Sequence, residues 1–256
     1  MEAAAPAEKD PSDEEMRKLL KPAPSAEQIL VALQGSYVVP GQEIKFVKDL
    51  ESYDDRNFWV EIDGIPHLTK VHNGVESKDF IELYQKGEYS KSVIHLQNTI
   101  MEHLNANGIV TSAPKRPLEG DVPTAASVQS LPVVSEDNSP SDLVVRLLGW
   151  VGGTPMSSAK LLPLESLADA GRFLGRMSLK LSELDASELV AAKRAHQWDG
   201  KNTMGLRDFV CYIQDPRRKA LVESVLEAFQ TDLIDSKASE SFATSIIHGR
   251  SPCFFF

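Results

Sequence analysis

Apolar positions along this chain recur with two different periods, and the change from one to the other divides it. At residues 25–33 they fall at Ile29, Leu30 and Leu33, one face of a short helix, with Ser25 placed as its N-cap. Strand-forming residues then fill 44–50, 57–62 and 67–71, separated by Asp54-Asp55 and by Asp63-Gly64, the second of these a hairpin dipeptide. This predicts an antiparallel three-strand meander. Residues 96–104 predict a helix ending at Asn107-Gly108, and the Pro/Ser/Asp-rich stretch 112–142 leaves room for one more strand over 127–134. Residues 142–151, containing LVVRLLGWV, predict a strong strand.

After Gly152-Gly153 the period lengthens. Leu167, Ala170, Phe173, Leu174, Met177, Leu181 and Leu184 recur at helical spacing. Asp215-Pro216 is a cap followed by a first-turn proline, opening an amphipathic helix through Leu221, Val225, Leu226, Phe229 and Leu233. A β-rich front joined to a helical back is an α+β arrangement, with its seam expected between residues 149 and 155.

Composition narrows what such a chain does. Of 256 residues, 42% are hydrophobic, enough for a buried core, and 37 acidic residues against 27 basic ones leave a formal net charge of -10. That balance argues against a nucleic-acid partner, whose phosphates call for a basic surface, and suits a cationic small molecule better. Only Cys211 and Cys253 are present, too few for a disulfide framework or a cysteine-built metal site, so a reducing cytoplasmic compartment is expected. Residues 1–24, rich in Ala, Pro, Glu and Asp, are expected to be a disordered acidic tail without the apolar core of a secretory signal. No run approaches the roughly 18 apolar residues a membrane span needs. Cys253-Phe254-Phe255-Phe256 fits a prenylation box in form, but with no basic stretch before it a chance tail is the simpler reading.

The stretch SYDDRNFWV at 52–60, Lys70 on the third strand and LVVRLLGWVGGTP resemble, in order and spacing, the N-lobe and hinge of the hydroxylysine kinases, a group within the aminoglycoside phosphotransferase family. The likeness continues through LADAGRFLGRMSLKLSELD and HQWDGKN to IIHG at 246–249. It implies a protein-kinase-like fold: an N-lobe over 25–151 with an insert at 83–95 and a loop at 112–142, an incomplete helical C-lobe over 152–249, and an unrelated tail at 250–256. It further implies transfer of the γ-phosphate of GTP, with Mg2+, to the side-chain hydroxyl of 5-hydroxylysine.

The resemblance assigns residue roles as well. Asn57, Lys70, Leu148 and Trp150 become nucleotide contacts, Lys70 being the kinase lysine that meets the α- and β-phosphates. Taken without the resemblance, the turn at 53–57 is an ordinary hairpin turn, Lys70 a solvated edge-strand lysine, and the 146–151 hinge a buried strand. Asp54 and Asp55 would repel phosphate unless they face substrate or metal. Glu82 is the expected helix partner of Lys70, although the insert LYQKGEYSKSVIH, with Gly87 and the Val93-Ile94 pair, is expected to break its helix. Asp199 and Trp198 are placed on the substrate side, where a carboxylate and an indole face would meet an ammonium.

No catalytic residue is assigned. His248 and Gly249 match the opening of the family's catalytic loop, but Arg250 stands where the loop places its Asp, and guanidinium accepts no proton. The seven residues from Arg250 read as a splice or frame-shift product, and no metal ligand is assigned. His196, Asp199 and Asn202 imitate a kinase loop in a segment that precedes the true one. A non-catalytic remnant that holds nucleotide weakly, or a protein partner, is the alternative; an unrelated helical adaptor is the third. Helices after Leu167 lacking partners predict poor solubility.

Overall fold

The computed structural model describes residues 13–118, 127–134, 140–154, 158, 163–185, 200–242 and 246. These form two compact units, Met1–Thr154 and Pro155–Phe256.

The first unit is built on a five-stranded antiparallel sheet. Strands β1 (Ile44–Leu50), β2 (Arg56–Ile62), β3 (Ile65–Val71), β4 (Ser127–Pro132) and β5 (Pro140–Gly149) lie in the order β1-β2-β3-β5-β4. The β2–β3 connection is a two-residue hairpin. Asp63 and Gly64 both take positive φ, 51° and 75°, which a right-twisted two-residue turn demands and which Asp-Gly supplies at low strain. The Asp63 carboxylate then accepts from the Glu43 backbone N–H at 2.9 Å, tying the start of β1 to that turn.

Alternation along the strands separates two faces. Phe58, Val60, Ile62, Val71, Val145 and Leu147 pack with Leu131 and Val133 against Ile29, Leu33 and Tyr37, which place helix α2 (Ala26–Ser36) over one face. Ser25 caps α2 in a capping box with Gln28, as its spacing predicts. The opposite face is partly covered by α3 (Gly74–Gln85) and α4 (Val93–Ala106) through Phe80, Ile94 and Val144. Central strand β5 is therefore buried on both sides from Leu143 to Leu148.

Two expectations change. Residues 13–24 are not a disordered tail: Asp13–Leu19 forms a helix, α1, and its Arg17 is only 6% exposed. Ala23 donates its N–H to Pro132 O, and Pro22 bridges to Val133 beside β4, so backbone bonds anchor a segment whose composition is that of a loop. In the insert, α3 does end at Gln85, where Gly87 at φ 71° makes the turn. Val93-Ile94, however, open α4 instead of breaking a helix, because Ser92 caps it from a 3-10 turn at Tyr89–Lys91. β-branched residues cost little in a first turn that packs; Ile94 is 1% exposed.

The second unit contains α5 (Leu164–Leu181), a 3-10 segment Gly200–Tyr212 and α6 (Pro216–Phe229), which runs on into a π turn at Gln230–Asp235. Asp215 caps α6 by accepting from Arg217 and Arg218 N–H groups, with Pro216 following it. Trp198, Asp199, His248, Gly249 and the 250–256 segment lie outside the described residues. No described helix is long and apolar enough to cross a membrane. The architecture is α+β.

Candidate functional site

Residues directly opposite in an antiparallel ladder share a face, so register alone assembles the first part of the site. Asn57 pairs with Lys70 and Lys70 with Arg146, one row across β2, β3 and β5. Two residues along each strand a second row follows: Trp59, Leu68 and Leu148. Trp150, just past β5, stacks on Trp59 with ring centroids 4.9 Å apart. Both rows lie on the face opposite α2. The four residues expected to contact nucleotide, Asn57, Lys70, Leu148 and Trp150, therefore belong to one surface, although Leu148 is buried. Lys70 is not an edge-strand lysine, because β3 is flanked by β2 and β5.

Placing Lys70 beside Arg146 sets two cations side by side, which is unfavourable without compensating carboxylates. The loop between β1 and β2 and the start of α3 supply them. Asp55, 9% exposed, ion-pairs with Lys70 through one oxygen and accepts the Asn73 backbone N–H at 2.8 Å with the other. Its neighbour Asp54 ion-pairs with Arg17 of α1. Arg17 also reaches Glu76, in the first turn of α3, at 3.1 Å, and Glu76 accepts from His72 Nδ1 at 3.0 Å. Asn73 caps α3 and donates its side-chain amide to Arg17 O at 2.6 Å and Asp54 O at 3.1 Å. Lys21 Nζ donates to Tyr53 O at 2.7 Å, and Ser52 donates to Asp55 O. Arg146 is completed from α4, donating to Asn98 at 2.5 Å and Gln97 at 2.6 Å.

Asp54, Asp55 and Glu76 thus balance Arg17, Lys70 and Arg146. Burial by itself would raise the Asp55 and Glu76 carboxyls, but Lys70 at the first, and the His72 hydrogen bond and Arg17 at the second, outweigh it and hold both below their ordinary values. Burial lowers Arg146 to about 10 and pushes His72 down to about 4. His72 is therefore neutral near pH 7, and what it gives Glu76 is a donated Nδ1–H, not a charge. For Arg17 burial acts downward, but Glu76 and Asp54 win and raise it.

One expectation fails here for an identifiable reason. Lys70 meets Asp55, not Glu82. Phe80 faces the sheet, and two residues further on, about 200° around the helix, Glu82 is exposed. In the hinge, Leu147 O accepts from Lys115 N, and Gly149 N donates to Ala113 O. Only Trp150 and Val151 extend beyond these pairs. Sequence reasoning gave no role to the side chains of Arg17, His72, Asn73, Glu76, Asn98 and Arg146. The one available signal was Asn73-Gly74-Val75-Glu76, an N-cap followed three residues later by Glu.

Asp55, His72 and Glu76 hold ligand atoms within 4.8 Å of one another, the spacing of a metal site. Their chemistry does not fit Mg2+, which takes oxygen donors and water in an octahedron, because the carboxylate oxygens already face Lys70, Asn73 N–H, Arg17 and His72. A cavity of about 80 Å3 lies beside the loop, between Arg17, Lys18, Lys21, Tyr53 and Asp54. A larger one of about 380 Å3 sits in the second unit, but exposed Arg207, Glu223 and Glu227 line it with Val210 and Leu226, and no buried charge converges there. The chemistry lies with the sheet-face network.

No protein-family model matches the chain. It is similar to hydroxylysine kinase of Xenopus laevis, 24% identical over 237 residues, which are 90% of this chain and 57% of the relative. It is also similar to hydroxylysine kinase of Bos taurus, 26% identical over 239 residues, 92% of this chain and 59% of that one. The chain spans under three-fifths of the length of these curated relatives. Among solved structures it resembles spectinomycin phosphotransferase in complex with ADP and spectinomycin, with TM-score 0.45, 15% identity and coverage of 86% of this chain and 59% of the other.

Proposed function

We propose that this chain carries the nucleotide-holding part of a small-molecule kinase of the hydroxylysine-kinase type. The observation that supports it most is the convergence of Asn57, Lys70 and Trp150 on one sheet face, with the Lys70 side chain 21% exposed and held by a buried carboxylate. Phosphoryl transfer depends chiefly on positioning and on neutralising the charge of the phosphates. A lysine fixed in place but reachable from solvent supplies that neutralisation, and Asn57 beside it supplies an amide. GTP is the proposed donor and the hydroxyl of 5-hydroxylysine the proposed acceptor, with Asp199 and Trp198 on the acceptor's ammonium. Mg2+ accompanies the nucleotide in this reading. The described residues offer it no fitting donor set, so no step is derived through the ion.

Arg250 beside His248-Gly249 favours a second reading, in which nucleotide is held and not turned over, since guanidinium takes no proton from a hydroxyl. One experiment separates the two. GTP and ATP are incubated with 5-hydroxylysine, and phosphate transfer is measured alongside nucleotide-induced thermal stabilisation. Stabilisation lost in Lys70→Ala supports the site, and transfer above background decides for catalysis. No stabilisation by either nucleotide sinks both readings.

A further inference from the structure

We infer that Asp55 is the positioning residue of Lys70, the role a helix glutamate was expected to fill, and that Arg17 of α1 is the clasp that holds Asp55's loop. The inference rests on the reading of Lys70 as the polyphosphate contact, and it makes the N-terminal helix part of the nucleotide site. Asp55 is held at both oxygens, by the Asn73 backbone N–H and by Lys70, so it is a fixed anchor for the ammonium and not a swinging counter-ion. Its loop is held in turn at three further points: Arg17 to Asp54, Lys21 to Tyr53 O, and Asn73 to Asp54 O. Arg17 spans the loop and α3 at once, because the guanidinium fork reaches both Asp54 and Glu76. The loop between β1 and β2 therefore carries the residue that orients the lysine.

The test is a double-mutant cycle read as ADP and GDP affinity by isothermal titration, on the full chain. Asp55→Asn keeps the shape and an acceptor for Asn73 but removes the charge that orients Lys70. It is expected to weaken diphosphate binding about tenfold, equal to about 1.4 kcal/mol. Glu82→Gln is expected to leave it within about twofold. In a Lys70→Met background, which itself binds poorly, Asp55→Asn is expected to cause no further loss, a result that general structural damage would not give. Arg17→Lys, which keeps the charge but loses the fork, should weaken binding about threefold, and it serves if Asp55→Asn does not fold. Equal or tighter binding by Asp55→Asn overturns the inference, since Asp55 would then be blocking the lysine. So does a Glu82→Gln loss as large as that of Asp55→Asn, or an Asp55→Asn loss that persists without Lys70. A wild-type chain that binds neither diphosphate fails the functional reading itself. Wild-type binding with an indifferent Asp55→Asn fails only the positioning role.

Discussion

His72 is wholly buried and uncharged, and that makes the stability of this protein depend on pH in a specific direction. Its folded pKa of about 4 lies below the ordinary 6.5, so between those values the unfolded chain binds the extra proton and stability rises with pH. The contribution is complete above about pH 6.5 and is lost as pH falls toward 4. Asp55 and Glu76, also depressed, add their own loss below the ordinary carboxylate range. Denaturant titrations from pH 7 to 4.5 should therefore show falling stability in the wild type and a flatter profile in His72→Gln, whatever the absolute stability of the variant. At Arg17 the expected result is larger. Arg17→Met leaves Asp54 and Glu76 part-buried without their cation, and removal of one partner from a buried pair costs roughly 3 kcal/mol or more. Equilibrium unfolding at pH 7 measures it, and a loss under about 1 kcal/mol contradicts the buried network. None of this was legible along the chain, where Asp54 and Asp55 are turn residues of a common kind and Arg17 lies in a stretch with disorder-like composition. Lys70 was legible, but only through the resemblance.

The segment that carries helix α1 comes very close to the start of α3. At Gly74, the first residue of α3, an added Cβ would lie 2.8 Å from Leu20 Cβ and 3.3 Å from Leu20 O, while the Gly74 N–H donates to that same oxygen at 3.0 Å. Gly74→Ala is expected to push the α1 segment off the sheet unit at a cost of about 1–3 kcal/mol. Faster proteolysis between residues 13 and 24 would report the detachment, and unchanged cleavage would contradict it. Ser92, buried and capping α4 through His95 N–H, should cost about 1 kcal/mol as Ser92→Ala in a thermal melt. Caps and turns of this sort are read well from sequence because their chemistry is local. Ser25, Asp63-Gly64, Asn107-Gly108 and Asp215-Pro216 all sit where their side chains or φ preferences place them. Val93-Ile94 were misjudged by the same local reasoning, since their helix is held by packing of Ile94 against Phe80 and Val144.

The two units differ in how much apolar surface they bury. The first encloses a continuous cluster from Ile29 to Leu147, whereas the described part of the second buries Met177, Leu181, Val210 and Leu226 and leaves Leu164, Leu179 and Tyr212 more than two-thirds exposed. Amide hydrogen exchange should accordingly be slowest in β2, β3 and β5 and faster by orders of magnitude in α5. Equal protection in the two would overturn that ranking. The apolar stripe that marks α5 in the sequence is real as a period, but a period states only which residues share a face, not what covers it. The sequence by itself determined the α+β order of the strands and the main helices, the strand alternation that separates two faces, and the helix caps, because each depends on neighbours a few residues apart. Only the tertiary structure decided that Asp55 and not Glu82 holds Lys70, that Arg17 reaches across 37 residues to Asp54, and that buried Arg146 donates to Asn98 and Gln97 of α4 in the field of Asp55 and Glu76. Those choices turn on which charges share a buried space, and burial is a property of the packed chain as a whole.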